Sequence, residues 1–327
     1  CTDDNCRALI AAVMNWRLFK DESISPLFKT YISFLYHAFN DKYGRMRNFM
    51  SFDRRWLEDM GSEDSHSRTI WTLGYTIAHP PEDEILGLAT RLFKELIKAP
   101  LNFSSPRAWA FAALGAHYYL RRFGGDTRVR EILTTLGDKL LDLFNVVADD
   151  DWFWCEDTLS YDNARLPQAL LVIGNYNDNS ELFEAGLKSL KWLIDVQTSP
   201  EGGHLSIVGN DGWYRRGGEK ARFDQQTVDA SALVDACYQA FALTGESVWL
   251  RKMEWAFNWF FGSNDVRQPL YDFSSGGCFD GLQPGGVNQN QGGESVVSML
   301  LALQRVHLVA HQGLFQQQQQ LNLSKKS

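Results

Sequence analysis

Helical segments of two kinds alternate along this 327-residue chain, and that alternation narrows the possible folds more than any other feature. The first kind is rich in small residues and apolar on most of its circumference, as in Ser105–Tyr119, Asp162–Gly174 and Thr227–Ala242. A helix apolar nearly all round belongs in an interior. The second kind is amphipathic, as in Glu82–Lys98, Thr127–Val147 and Ser180–Val196. In the last of these, Leu182, Phe183, Leu187, Leu190 and Leu193 recur at helical spacing, while Glu181, Glu184, Lys188 and Lys191 take the other side.

Interior helices are predicted to start near Asp3, Asp64, Ser105, Asp162, Thr227 and Gln291. Outer helices are predicted near Ser25, Glu82, Thr127, Ser180 and Glu246, with the C-terminal tail as the place for a sixth. The repeat is roughly 40–65 residues. The connections before inner helices are long: Asp41–Glu63, Ala148–Tyr161, Ser199–Gln226 and Ser263–Gln289. An open stack of α-hairpins has even repeats and short loops. Long loops gathered on one side point instead to an all-α (α/α)6 toroid whose inner N-termini and loops line one mouth. Residues 1–312 are read as this single domain, and 313–327, with Gln316–Gln320, as a Gln-rich tail that is either helical, as part of the last outer helix, or disordered. Strand-like runs are few: Arg45–Asp53, Asp151–Glu156 and Gly203–Val208.

A formal charge of −8 argues against nucleic acid or an anionic membrane surface as partner. No run of apolar residues is long enough to span a bilayer. Cys1, Cys6, Cys155, Cys237 and Cys278 are odd in number and widely spaced, which excludes a dense disulfide framework or a Cys-type zinc site and favours the cytoplasm. The chain opens on Cys1 and reads as the trimmed part of a longer product. No metal or cofactor motif is visible, and oligomeric state stays open.

Chemistry concentrates at the inner-helix starts: Thr2-Asp3-Asp4-Asn5-Cys6-Arg7, Glu63-Asp64-Ser65-His66-Ser67-Arg68, Ser160-Tyr161-Asp162-Asn163-Ala164-Arg165 and Asn288-Gln289-Asn290-Gln291-Gly292-Gly293-Glu294. Capping needs one polar residue per helix, whereas these starts carry four or five. The loops feeding them mix aromatic and polar groups: Trp152-Phe153-Trp154-Cys155-Glu156-Asp157, His204, Trp213, Gln225 and Asp280. Carboxylates and amides satisfy hydroxyl groups in pairs, and aromatic faces cover the apolar face of a sugar ring. Most of the 11 Trp are expected in the core all the same.

The runs TDDNCRALI, DSHSRTIWTLG, YDNARLPQALL and GVNQNQGGESVVSMLLAL resemble those of bacterial six-hairpin, glycosidase-like domains, a group that often carries the label "glycosyl transferase" and accompanies mannoside-processing genes. The resemblance implies the (α/α)6 fold and a carbohydrate substrate, and carries over no catalytic pair. The transferase label finds no support in the residues, because no βαβ pattern or nucleotide-binding glycine motif is visible.

Three readings follow. In the first, two carboxylates act on a glycoside as acid and base. Asp64 and Asp162 are the first candidates, followed by Glu294, Asp4, Glu156 and Asp157. His66, Arg68, Tyr161, Asn163, Arg165, His204, Gln225, Asp280 and Asn290 would then bind the sugar, with Trp154 and Trp213 as stacking platforms. In the second, His66 or His204 is the base of a sugar epimerase or isomerase. In the third, the chain binds sugar without turning it over, as a module of a larger protein.

Overall fold

The computed structural model describes the backbone of residues 1–324 and side chains through residue 311. Six inner helices run over α1 (Thr2–Phe19), α3 (Glu63–Ala78), α5 (Pro106–Arg122), α7 (Arg165–Asn177), α9 (Thr227–Thr244) and α11 (Gly293–Ser324). Five outer helices, α2 (Ser25–Ala38), α4 (Asp83–Leu96), α6 (Thr127–Val147), α8 (Ser180–Val196) and α10 (Ser247–Phe257), alternate with them. The inner helices close on themselves: α1 packs on α3, α3 on α5, α5 on α7, α7 on α9, α9 on α11, and α11 on α1. Each outer helix packs on the inner helix of its own hairpin. A ring so closed has no exposed inner edge, which is why the inner helices can be apolar all round. Among the described helices none is long and apolar enough to cross a membrane.

The tail does not turn back as a separate sixth outer helix: α11 is one helix from Gly293 to Ser324, and residues 325–327 lie outside the described residues. The short strands also differ from expectation. The run Arg45–Asp53 contributes only its first two residues, pairing β1 (Phe39–Asn40) with β2 (Arg45–Met46). Asp151–Glu156 and Gly203–Val208 form no strands. Instead β3 (Thr158–Leu159) pairs with β4 (Tyr214–Arg215), and β5 (Gln225–Gln226) joins β6 (Gly281–Gln283) and β7 (Gly286–Asn288). These ladders tie the loops before α7, α9 and α11 to one another, so the mouth is built as a unit.

Small residues set the closest inner contact. A Cβ on Gly74 of α3 would lie 2.1 Å from the Gly115 carbonyl oxygen of α5, and one on Gly115 would lie 2.4 Å from the Ile70 carbonyl oxygen. Both neighbours are backbone and cannot rotate away. Gly115→Ala is therefore expected to lower stability by about 1–3 kcal/mol or more, against the roughly 1 kcal/mol that helix propensity alone would add. Urea unfolding decides: an Ala variant at least as stable as the parent would contradict the close approach.

Three histidines sit in this packing. His66 is fully buried; its Nε2 lies 3.1 Å from the Leu96 carbonyl oxygen and its Nδ1 3.3 Å from the Met46 N–H. Burial, with Arg45 adding to it against the Leu96 carbonyl, lowers its pKa from 6.5 to about 4. Burial likewise takes His117 to about 4, with Arg121 adding, and His79 to about 3, with Arg17, Arg121 and Arg305 adding. Each is held neutral in the folded state, so each contributes stability that is whole above the unfolded value of 6.5 and is lost as pH falls toward 4. The urea midpoint is expected to fall steadily between pH 6.5 and 4, and a flat profile over that window would contradict the burial of these rings.

Candidate functional site

Serines perform the capping that the acidic helix starts were equally able to provide. Ser62 Oγ accepts the Ser65 N–H at the start of α3 (3.0 Å), and Ser105 Oγ accepts the Ala108 N–H at the start of α5 (3.2 Å). The first-turn carboxylates of α3 are thereby left for other partners: Glu63 accepts the Ser104 and Ser105 N–H groups, and Asp64 faces the mouth.

Arg68 of α3 reaches in two directions: Nε to Asp3 of α1 (3.0 Å) and a terminal nitrogen to Asp162 before α7 (2.9 Å). Asp162 also lies 3.3 Å from Arg165, which continues to Asp235 of α9 (2.7 Å), and Arg305 of α11 closes on the other oxygen of Asp235 (2.6 Å). This chain of ion pairs crosses the bore of the ring. Burial opposes the charge on Asp162, but Arg68 and Arg165 outweigh it and hold the carboxyl below its usual value. Burial likewise opposes Arg68, and Asp162 and Asp3 keep its pKa raised.

A second set lies toward solvent. Arg7 bridges Asp4 (3.0 Å) and Glu294 of α11 (2.9 Å), whose side chain is 43% exposed. Asp64 accepts from the Ser105 hydroxyl and the Tyr161 hydroxyl, each at 2.7 Å. The Tyr161 ring lies 4.8 Å from the Arg107 guanidinium and 6.2 Å from the half-buried Trp213 ring, making an aromatic lip. Burial, then the Asp64 charge, raises the Tyr161 pKa, so it stays a hydroxyl donor. Arg107 donates to Glu156 (2.7 Å), Asn163 (3.0 Å) and the Tyr161 carbonyl (2.6 Å). The sixth loop is pinned by Asp280, which accepts from Asn290 (2.5 Å) and from the Gly292 N–H (2.7 Å).

One carboxyl behaves unlike the rest. Asp229, in the first turn of α9, is buried and has no salt-bridge partner among the described residues. Burial first, and then the neighbouring Asp162 charge, raise its pKa well above the ordinary carboxylate range, against backbone N–H groups of Asp162 and Asn163 that favour its ionised form. Asp229 is thus pushed up while the neighbouring Asp162 is held down, the separation of environments that suits acid–base chemistry.

No family model and no curated protein matches the chain. Solved structures do. The chain is similar to a cellobiose 2-epimerase from Bacillus thermoamylovorans, with a TM-score of 0.70 and 13% identity over 95% of this chain and 87% of that one. It is similar to a GH76 α-mannanase from Bacteroides thetaiotaomicron, with a TM-score of 0.65 and 12% identity over 95% and 87%. A D-mannose isomerase matches with a TM-score of 0.60 and 11% identity over 93% and 86%. The chain has the (α/α)6 toroid fold. At such identities the likeness is one of fold, and none of these three structures is named a glycosyl transferase.

Within the toroid several expected ligand groups are closed off. Trp154 has no exposed surface; it packs beside Trp192 and Phe144 and offers no face to a sugar. Gln225 is fully buried with its amide engaged by Asp265, Arg222, Ile207 and Trp259. His66 is sealed as described, and Asn163 and Arg165 are consumed by internal hydrogen bonds. Asp162, fully buried between two arginines, has no surface on which to activate water. His204 is drawn toward Asp265 (3.4 Å), next to Gly203, whose carbonyl accepts from Trp255 of α10. Asp157 is exposed with no side-chain partner among the described residues, and its carbonyl accepts the Arg216 N–H. Asp229 and Arg107 escaped the sequence reading because each is one charged residue inside an otherwise apolar helix start, Thr227-Val228-Asp229-Ala230 and Pro106-Arg107-Ala108.

Proposed function

We propose that the protein is a carbohydrate-active enzyme of the glycoside-hydrolase kind, with Asp229 as general acid and Glu294 as general base on an oligosaccharide bound at the mouth. The observation that carries this reading is Asp229, buried at the mouth without a salt-bridge partner among the described residues and with its pKa pushed up. The two residues occupy the first turns of α9 and α11, inner helices that pack on each other. The reading places a water between acid and base, as in inverting glycosidases, whose carboxyls stand about 6.5–9.5 Å apart. Asp4, Asp64, Glu156, Asp157, Asp280 and Asn290 are proposed to bind hydroxyls, and Tyr161 and Trp213 to cover a ring face. Asp162, first expected as a catalytic carboxylate, and Arg68 position this set.

The epimerase and isomerase among the similar structures keep the second reading in view, but no histidine supports it here. His66 is buried with both ring nitrogens engaged, and His204 turns to Asp265. We take residues 1–312 as the catalytic domain and, from the five free thiols, place it in the cytoplasm. A mannoside is the first substrate to try. Purified protein incubated with an oligosaccharide panel, with and without phosphate, tests the proposal by mass spectrometry. Free sugar marks hydrolysis and sugar phosphate marks phosphorolysis; a folded sample that yields no product from any substrate overturns the reading.

A further inference from the structure

Outside the ring, where α2 and α4 meet the β1–β2 hairpin, a cleft of about 770 Å³ is lined by Tyr36, His37, Arg47, Trp56, Arg91 and Glu95, with Asp41 and Gly44 at the hairpin end. Small-molecule sites fall at about 300–1,000 Å³. The lining is unusual in how little of it is spent on the protein itself. Arg47 makes one long bond, 3.5 Å to the Phe39 carbonyl, and the side chains of Asp41, Arg91, Glu95, His37 and Tyr36 have no hydrogen-bond or ion-pair partner among the described residues. Exposed opposite charges gain little by pairing, and the two guanidiniums and two carboxylates around this opening, free of ion pairs among the described residues, are available to a ligand.

Aromatic surface completes it. The Arg47 guanidinium lies 5.6 Å from the Trp56 ring, with His37 5.5 Å from the same ring, and Arg91 lies 5.8 Å from Tyr36, which is 41% exposed. Gly44, at φ 62°, has nothing within 4 Å of where a Cβ would stand, so the hairpin tip leaves the entrance open. Donors and acceptors of both signs around an aromatic wall match a ligand that presents both O–H donors and oxygen acceptors beside an apolar ring face. A single-sign ligand would leave one pair of charges facing its own kind.

We propose that this cleft is a second, non-catalytic saccharide site that takes a neutral sugar through Arg47, Arg91, Asp41 and Glu95, with Tyr36 against the ring face. It uses none of the mouth residues, so it stands or falls separately from the catalytic reading.

The test is saturation-transfer NMR on the full chain with millimolar cellobiose, maltose and β-1,4-mannobiose as probes. It is run on the parent, on a mouth variant that lacks both proposed ring platforms (Tyr161→Ala with Trp213→Ala), and on that variant with Arg91→Ala or Tyr36→Ala added, both exposed positions on outer helices. The expected result is a signal that survives in the mouth variant and weakens at least tenfold in affinity when either cleft substitution is added, with circular dichroism unchanged. No signal from any probe in the parent, or binding by the cleft variants equal to that of the mouth variant, overturns the proposal. So does a signal that disappears in the mouth variant, which would mean a single site at the mouth.

Discussion

Replacing Asp229 with Asn is expected to lower turnover of any glycoside the protein processes by about two to four orders of magnitude, the usual worth of a general acid. The fold is expected to survive. Asn keeps an acceptor for the backbone N–H groups at Asp162 and Asn163 and removes a carboxyl that burial and the Asp162 charge disfavour in its ionised form. The sign of the linkage sharpens the test. A carboxyl whose folded pKa is raised contributes stability below its unfolded value and loses it as pH rises through the folded value. Asp229→Asn is therefore expected to be no less stable than the parent at neutral pH, while its activity collapses. A variant that loses stability and activity together would place Asp229 in a structural role.

The opposite outcome is expected one helix away. Asp162→Ala removes the carboxylate that both Arg68 and Arg165 face, and leaves two buried guanidiniums short of a partner. Breaking a buried pair by deleting one member costs about 3–5 kcal/mol, and Asp162 has no exposed surface through which water could compensate. Asp162 also stands at φ 50°, a conformation that Asn adopts readily and Ala does not. Asp162→Asn should therefore recover the backbone part of the loss and not the charge part. Urea unfolding of the two variants separates these contributions. An Ala variant within about 1 kcal/mol of the parent, the size expected of an exposed pair, would show that the ion-pair chain carries little of the ring's stability.

These two carboxylates show where a sequence is and is not informative. The ring was legible because it is a property of whole faces: segments such as Thr227–Ala242 are apolar all round, and many residues contribute to that average. The site is a matter of single side chains. Asp162 stood out among Tyr161, Asn163 and Arg165, yet nothing local says that Arg68, 94 positions earlier, would cover it. Asp229 was hidden for the converse reason, a lone acid in an apolar run. Trp154 had the company of a loop residue, with Phe153 before it and Glu156 two places on, but its partner Trp192 lies on α8 and takes it inside. Burial depends on contacts distant in sequence, and periodicity cannot report those.

The same limit explains the helix starts. Ser62 and Asp64 are equally good caps by type, and only the closed ring, by placing Tyr161 and Ser105 beside Asp64, decides that Ser62 does the capping.

On the proposed reading, this mouth works through carboxylates on a glycosidic bond and not through a histidine on a sugar C–H. Incubation with the oligosaccharide panel in D2O, followed by mass spectrometry and NMR of the sugars, tests it most directly. Cleaved sugars with no deuterium on carbon are the predicted result. Uncleaved sugars carrying carbon-bound deuterium would contradict it and assign the toroid to epimerase or isomerase chemistry.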